Sequence, residues 1–298
     1  MKRLSVIWPL LLLVTSGLWF FQALDALPDA VSDLLQRGAP ALLVVVGLMM
    51  LFGRRMRFGN LVAILLTVAT LAGVVGIAYA RQQTVLRNDY FAPFETLVAG
   101  ATTSVNLRLT VRQTEITINP AVPGDRTIRG DYTGTFESQV LVDYQADGAT
   151  ATFTLIETPR NAIPSLTLVG RGKLALFLPA GVTINELTIS SEAGDLSLDS
   201  STNAITTLNV ALASGTITAA FADASGLIGD LKTGSGSITV TIPPALVSRV
   251  ALRGGGAGAP QFDQGRFTLD INRVLVSRTG EQPQVQLNLD APGLLTVR

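Results

Sequence analysis

The 298-residue chain contains neither cysteine nor histidine. Their absence excludes a thiolate nucleophile, an imidazole general base, disulfides and the ordinary zinc, copper and haem ligand sets. It also leaves the redox compartment unassigned, although a cysteine-free chain suits an exposed bacterial surface. Aromatic residues are scarce at 6%, and charged residues make up only 15%. Basic and acidic groups balance at 22 each, which hides an uneven split: residues 1–87 hold eight basic and three acidic groups, leaving 14 and 19 beyond. A nucleic-acid binder needs clustered positive charge to displace counterions from phosphate. No such cluster follows residue 87, so that class is set aside.

What the first part does have is length without charge. Residues 4–24 and 58–80 form uncharged runs of 21 and 23 residues, enough to cross a bilayer as helices. A middle run, 38–53, has 16 residues and would cover about 24 Å, short of the roughly 30 Å hydrocarbon core. Snorkelling of Arg37 and Arg54 at its ends could make up the difference. Lys2 and Arg3 precede the first run, Asp25, Asp29 and Asp33 fill the next loop, and Arg54, Arg55 and Arg57 precede the third. Three crossings place both basic groups inside and the acidic loop outside, as the positive-inside bias prefers. The expectation is therefore three transmembrane helices with the N-terminus cytoplasmic and everything after residue 87 extracytoplasmic.

The first run has the basic start of a signal peptide but lacks a small-x-small cleavage site, so it is read as retained. Trp19, Phe20 and Phe21, with Tyr79, Tyr90 and Phe91, suit an outer interfacial belt. Ala69, Gly73, Gly76 and Ala80 put small residues on one helix face. Such a face serves either homo-oligomer contact or packing against the chain's own helices, and the second is the plainer reading.

Beyond a connector at 88–99, alternation of period two marks strands at Val105–Val111, Ile116–Ile118, Gln139–Tyr144, Ala151–Ile156, Leu166–Val169 and Leu174–Leu178. A repeat then emerges. Gly194-Asp-Leu-Ser-Leu198, Gly215-Thr-Ile-Thr-Ala219 and Gly236-Ser-Ile-Thr-Val240 recur every 21 residues, and an apolar column runs through Ile189, Val210, Leu231 and Leu252 at the same period. Further copies start at Gly172 and Gly293. Strands of like pattern at a fixed offset stack in register, with glycine at the corners where a side chain would strike the neighbouring layer. The fold expected over 100–298 is all-β, a β-solenoid of about 21-residue coils, with the irregular segments 101–170 and 262–298 as caps.

These Gly-x-apolar-x-apolar phrases, as in Leu187-Thr-Ile-Ser-Ser-Glu-Ala-Gly-Asp-Leu-Ser-Leu198, resemble the bacterial adhesin-type or toast-rack β-solenoid domains. A short multi-helix membrane segment followed by such a domain is similar to the LiaF-like proteins of the cell-envelope stress response. The resemblance implies an envelope sensing or scaffolding role and carries no catalytic residues to this chain.

Chemistry-bearing motifs are thin. Arg253-Gly-Gly-Gly-Ala-Gly258 could cradle an anion through backbone N–H groups, but no Gly-Lys-Ser/Thr follows and a turn is the simpler reading. Gly170-Arg-Gly-Lys173 fails the same test at Leu174. Asp195, Asp199, Asp223 and Asp230 could offer oxygen ligands to calcium or a carboxylate pair for glycoside hydrolysis, with Arg171 or Arg253 as a basic partner. Their spacing fits no calcium loop, which favours solvated turn acids. The expectation is a non-enzymatic envelope protein with no catalytic, cofactor or metal residues, acting on the lipid bilayer and on other membrane or envelope proteins. An adhesive surface module is the alternative, and a carbohydrate-active enzyme the third.

Overall fold

The computed structural model describes residues 59–160, 168–222, 226–254, 259–278 and 284–298. It divides into two compact units, residues 1–85 with 161–169, and residues 86–160 with 170–298. The uncharged runs at 4–24 and 38–53, with Trp19, Phe20 and Phe21, lie outside the described residues.

In the first unit the third run forms helix α1 (Gly59–Thr84, 26 residues), which continues one turn past Ala80. Among the described residues no helix is long and apolar enough to cross a membrane; several side chains of α1 are themselves outside the described set. Ala78 is buried with Val169, and Val75 packs against them. The end of the segment expected as a strand at Leu166–Val169 therefore belongs to the helix unit, and Val169 is not in a strand.

The second unit is built almost wholly of strands. Residues 90–97, expected as part of a connector, form β1 (Tyr90–Leu97). The two short strands expected at 105–118 are one long element, β2 (Ser104–Asn119). Then come β3 (Thr127–Gly134), β4 (Ser138–Asp147), β5 (Thr150–Pro159) and β6 (Gly172–Phe177). The repeat region supplies β7 (Thr183–Ala193), β8 (Leu196–Ser200), β9 (Ile205–Leu212), β10 (Ile217–Phe221), β11 (Leu227–Thr233) and β12 (Ile238–Thr241). The chain closes with β13 (Ser248–Gly254), β14 (Gln261–Phe262), β15 (Phe267–Leu269), β16 (Val274–Ser277), β17 (Val285–Ala291) and β18 (Leu295–Val297).

Two sheets share β2, which turns from one into the other near Gln113. Sheet I runs β4, β5, the first part of β2, β7, β9, β11, β17, β13, β16, β15. Sheet II runs β1, β3, β6, the second part of β2, β8, β10, β12, β18, β14. All pairings from β5 to β13 in sheet I and from β6 to β14 in sheet II are parallel, and the antiparallel strands lie only at the ends. Every copy of the glycine phrase lands in sheet II, as β6, β8, β10, β12 and β18.

The interior follows from this register. In sheet I one inward column is Leu155, Leu109, Ile189, Val210, Leu231, Leu289 and Leu252. In sheet II another is Leu174, Ile116, Leu196, Ile217, Ile238 and Leu295. All are buried in one continuous core. At about 25 cal/mol per Å2 of apolar surface, each such Leu or Ile contributes roughly 1.5–3 kcal/mol. Two features depart from the sequence reading. Leu252 does not stack on Leu231, because β17 lies between β11 and β13 and puts Leu289 there. The segment 101–170 is likewise not simply a cap, since β2 is an interior layer between β5 and β7.

The corners explain the glycines. Gly194, Gly215 and Gly236 have φ of 131°, 137° and 139°, a region that side chains rarely adopt. A Cβ on Gly215 would lie 2.0 Å from the carbonyl oxygen of Gly194, and one on Gly236 would lie 2.1 Å from that of Gly215. Backbone thus stacks directly on backbone at this corner. The Thr233 hydroxyl donates to the carbonyls of Gly215 (2.8 Å) and Ser235 (3.0 Å), linking adjacent layers.

Candidate functional surfaces

The acids singled out from sequence are spent separately on local bonds. Asp195 accepts the Thr216 N–H at 2.8 Å, Asp199 accepts that of Ser201 at 3.0 Å, and Asp230 accepts the Asn288 side-chain amide at 2.7 Å. Asp223 lies outside the described residues. Arg171 faces Glu115 at 3.8 Å, on a different sheet from Arg253. Gly254 follows Arg253 at φ 77° with its α-carbon against Ala291, and residues 255–258 are outside the described set. Among the described residues no three His, Cys, Asp or Glu side chains gather as a metal site. A recess of about 10 Å3 between Ser200, Asn203, Phe221 and Val285 has room for no more than a water.

What the fold does present is two regular outer faces. On sheet II, Thr117, Ser197, Thr218 and Thr239 follow one another in register, neighbouring strands being about 4.8 Å apart. On sheet I the outward row is Thr154, Arg108, Thr188, Asn209, Asp230 and Asn288. Alternation puts these polar residues outside because their neighbours fill the core. Arg108 reaches Glu186 at 3.6 Å, and Arg112 reaches Glu192 at 3.5 Å.

One buried group escaped the sequence reading. Glu157 is almost fully enclosed. Its carboxylate accepts bonds from the Tyr132 hydroxyl (2.8 Å), the Ser138 hydroxyl (2.7 Å), the Thr114 hydroxyl (2.8 Å) and the Arg112 backbone N–H (2.8 Å). These donors come from β3, the start of β4 and the bend of β2, so one side chain fastens the end layers to the bend. Burial, then the neighbouring Glu157 charge, pushes the Tyr132 phenol well above its ordinary range. A signal was available: Phe153, Leu155 and Glu157 share one parity, which places the carboxylate inward. The arrangement has every acceptor position occupied and no access for a substrate, so its work is structural. Tyr90, expected in an interfacial belt, packs on Tyr132 at 6.1 Å and under Arg160 at 4.9 Å.

No family model and no curated protein matches the chain. Among solved structures, a Clostridium sporogenes protein provisionally described as a cell adhesion protein is similar in fold, with a TM-score of 0.58 at 14% identity. The match covers 70% of this chain and 98% of that one. Provisional adhesins from Bacteroides fragilis and Parabacteroides merdae, at 10% and 12% identity, each align over 72% of this chain. They cover 100% and 98% of their own chains, but their TM-scores of 0.24 and 0.21 carry no argument. At such identities the likeness is one of fold. These neighbours are described as adhesins, not enzymes.

Proposed function

We propose that the stacked strands are the coils of a β-solenoid held outside the cytoplasmic membrane by the N-terminal helices, and that the domain works by surface contact without catalysis. The observation that carries this reading is the pair of outer faces. A row such as Thr117, Ser197, Thr218 and Thr239 offers a hydroxyl at each of four successive strands. An extended or repetitive partner, an envelope polymer or protein, can engage such a row, which lies on an open sheet face and not in a recess. The neighbour described as an adhesion protein supports the adhesive form of this reading. The regulatory form, in which the domain senses or scaffolds components of an envelope-stress response and passes contact through the helices, rests on the sequence resemblance and the order of membrane segment and β domain.

Two measurements test the proposal. A reporter enzyme active only outside the cytoplasm, fused after Arg298, is expected to be active; activity of a cytoplasm-only reporter at the same position defeats the topology. Capture of partners from membranes with and without envelope stress separates the two forms. A stress-dependent membrane partner favours regulation, and stress-independent retention on cell-wall polymer favours adhesion. Turnover of an acidic polysaccharide by the purified chain would overturn the non-catalytic reading.

A further inference from the structure

The two sheets end in four edge strands, and three of them are blunted. β1 carries Pro93 mid-strand, which has no N–H to offer a partner. β14 has two residues and β15 three, too short to template a ladder. β4 is different. It runs ten residues, Ser138–Asp147, and among the described residues pairs only with β5, in unbroken register from Ser138 opposite Pro159 to Asp147 opposite Thr150. It has no proline, glycine, lysine or arginine. Native proteins normally protect a long flat edge with proline, a bulge or charge, lysine above all, and here the only charges are Asp143 and Asp147. On its outer face Leu141 and Ile156 are cross-strand neighbours, 51% and 37% exposed, and Val142 on the opposite face is 38% exposed.

We propose that the free edge of β4 is a self-recognition strand, on which a second copy of this chain pairs antiparallel about a two-fold axis through Leu141. The sequence of the strand selects that occupant and that register. Centred on Leu141, Leu141 meets Leu141, Val140 meets Val142, and Asp143 meets Gln139. Two Leu141–Ile156 pairs then merge into one apolar cluster, and the four Asp143 and Asp147 carboxylates stay apart. Centred on Asp143 the same strand would oppose like charges, which is destabilising. An isologous contact of this kind closes on itself as a dimer and continues sheet I across the axis.

The absence of cysteine makes the test clean, since any introduced thiol is the chain's own single thiol. Leu141→Cys and Ile271→Cys are each placed in the full-length chain in detergent and mildly oxidised. Ile271, 97% exposed in the turn between β15 and β16, is the collision control. Disulfide-linked dimer is expected at least ten-fold faster for Leu141→Cys. In the parent sequence Leu141→Lys, which sets two ammonium groups face to face, is expected to convert dimer to monomer by light scattering with unchanged circular dichroism. Equal cross-linking at the two positions, a monomeric parent chain, or a dimer that survives Leu141→Lys overturns the proposal. Cross-linking of the Leu141→Cys thiol to a different polypeptide in membranes also overturns it, in favour of a heterologous strand.

Discussion

The middle of the stack, β7 to β12, and its N-terminal end, β1 to β6, solve the same problem by opposite means. In the middle each layer meets a copy of itself. The interior is aliphatic apart from Phe221, and the corner is cleared of side chains by Gly194, Gly215 and Gly236. At the end the glycine phrase stops with β6, antiparallel strands pair with the outermost parallel ones, aromatic pairs such as Phe94 and Phe153 at 5.9 Å fill the interior, and Glu157 fastens the bend of β2. Repetition can be stabilised by subtraction of side chains. Termination needs specific polar bonds, because dissimilar strands have no shared pattern to hold their register.

The sharpest way to break this contrast is at Gly215. Its Gly215→Val variant combines backbone strain with a collision against the Gly194 carbonyl, and is expected to lose on the order of 4 kcal/mol in denaturant unfolding. Thr216→Val beside it, on the exposed face, should stay within about 0.5 kcal/mol. Similar losses at both positions would show that the corner is not what constrains the repeat. At the end, Glu157→Ala strands four donors, two of them buried, and is expected to cost about 3 kcal/mol. A neutral outcome there would mean that the end layers hold register by packing alone.

The far end offers a third comparison. Arg266 donates to the carbonyls of Ile242, Pro243 and Leu246, tying the loop after β12 to β15. Arg266→Ala is expected to lower stability by about 2 kcal/mol in the same unfolding measurement, and no change would remove that tie from the account. The smallest effect concerns Tyr132. Because its phenol holds its proton more tightly when folded than when unfolded, the stability it brings is complete below about pH 10 and is lost as pH rises further. Tyr132→Phe is expected to cost about 1 kcal/mol near pH 7 and to flatten the alkaline decline. Parallel pH profiles for the two chains between about pH 9 and 12 would contradict this.

The repeat was legible where alternation and period act together. Ile189, Val210 and Leu231 do stack in consecutive layers, and the phrases opened by Gly172, Gly194, Gly215, Gly236 and Gly293 do share one sheet. Periodicity reports which strands are alike, and says nothing of which are neighbours. Leu252 therefore looked like the successor of Leu231, while β17, carrying the same alternation, takes that place. β2 was misread for a related reason: Arg112, Gln113 and Thr114 interrupt alternation as a turn between strands would, yet they are where one strand passes between two sheets. On the candidate surfaces, the sequence named acids by type but could not tell that Asp195 and Asp230 each serve a single neighbour. The edge of β4 was legible as a strand; that no described strand pairs with its other side depends on long-range order.

The insertion of β17 and β18 bears on how this chain avoids a rival structure. A stack with β13 directly against β11 and β14 against β12 obeys the same alternation, offers aliphatic side chains to the same interior, and can be assembled before β17 exists. What such a rival lacks is a place for Val285, Leu287, Leu289, Leu295 and Val297, all buried in the native order. Leaving them in water would forfeit on the order of 10 kcal/mol, as much as the whole net stability of many domains. The choice between two equally well-patterned arrangements is thus decided by a segment belonging to neither of the layers it separates, and the gap between native and competing states resides largely in that segment.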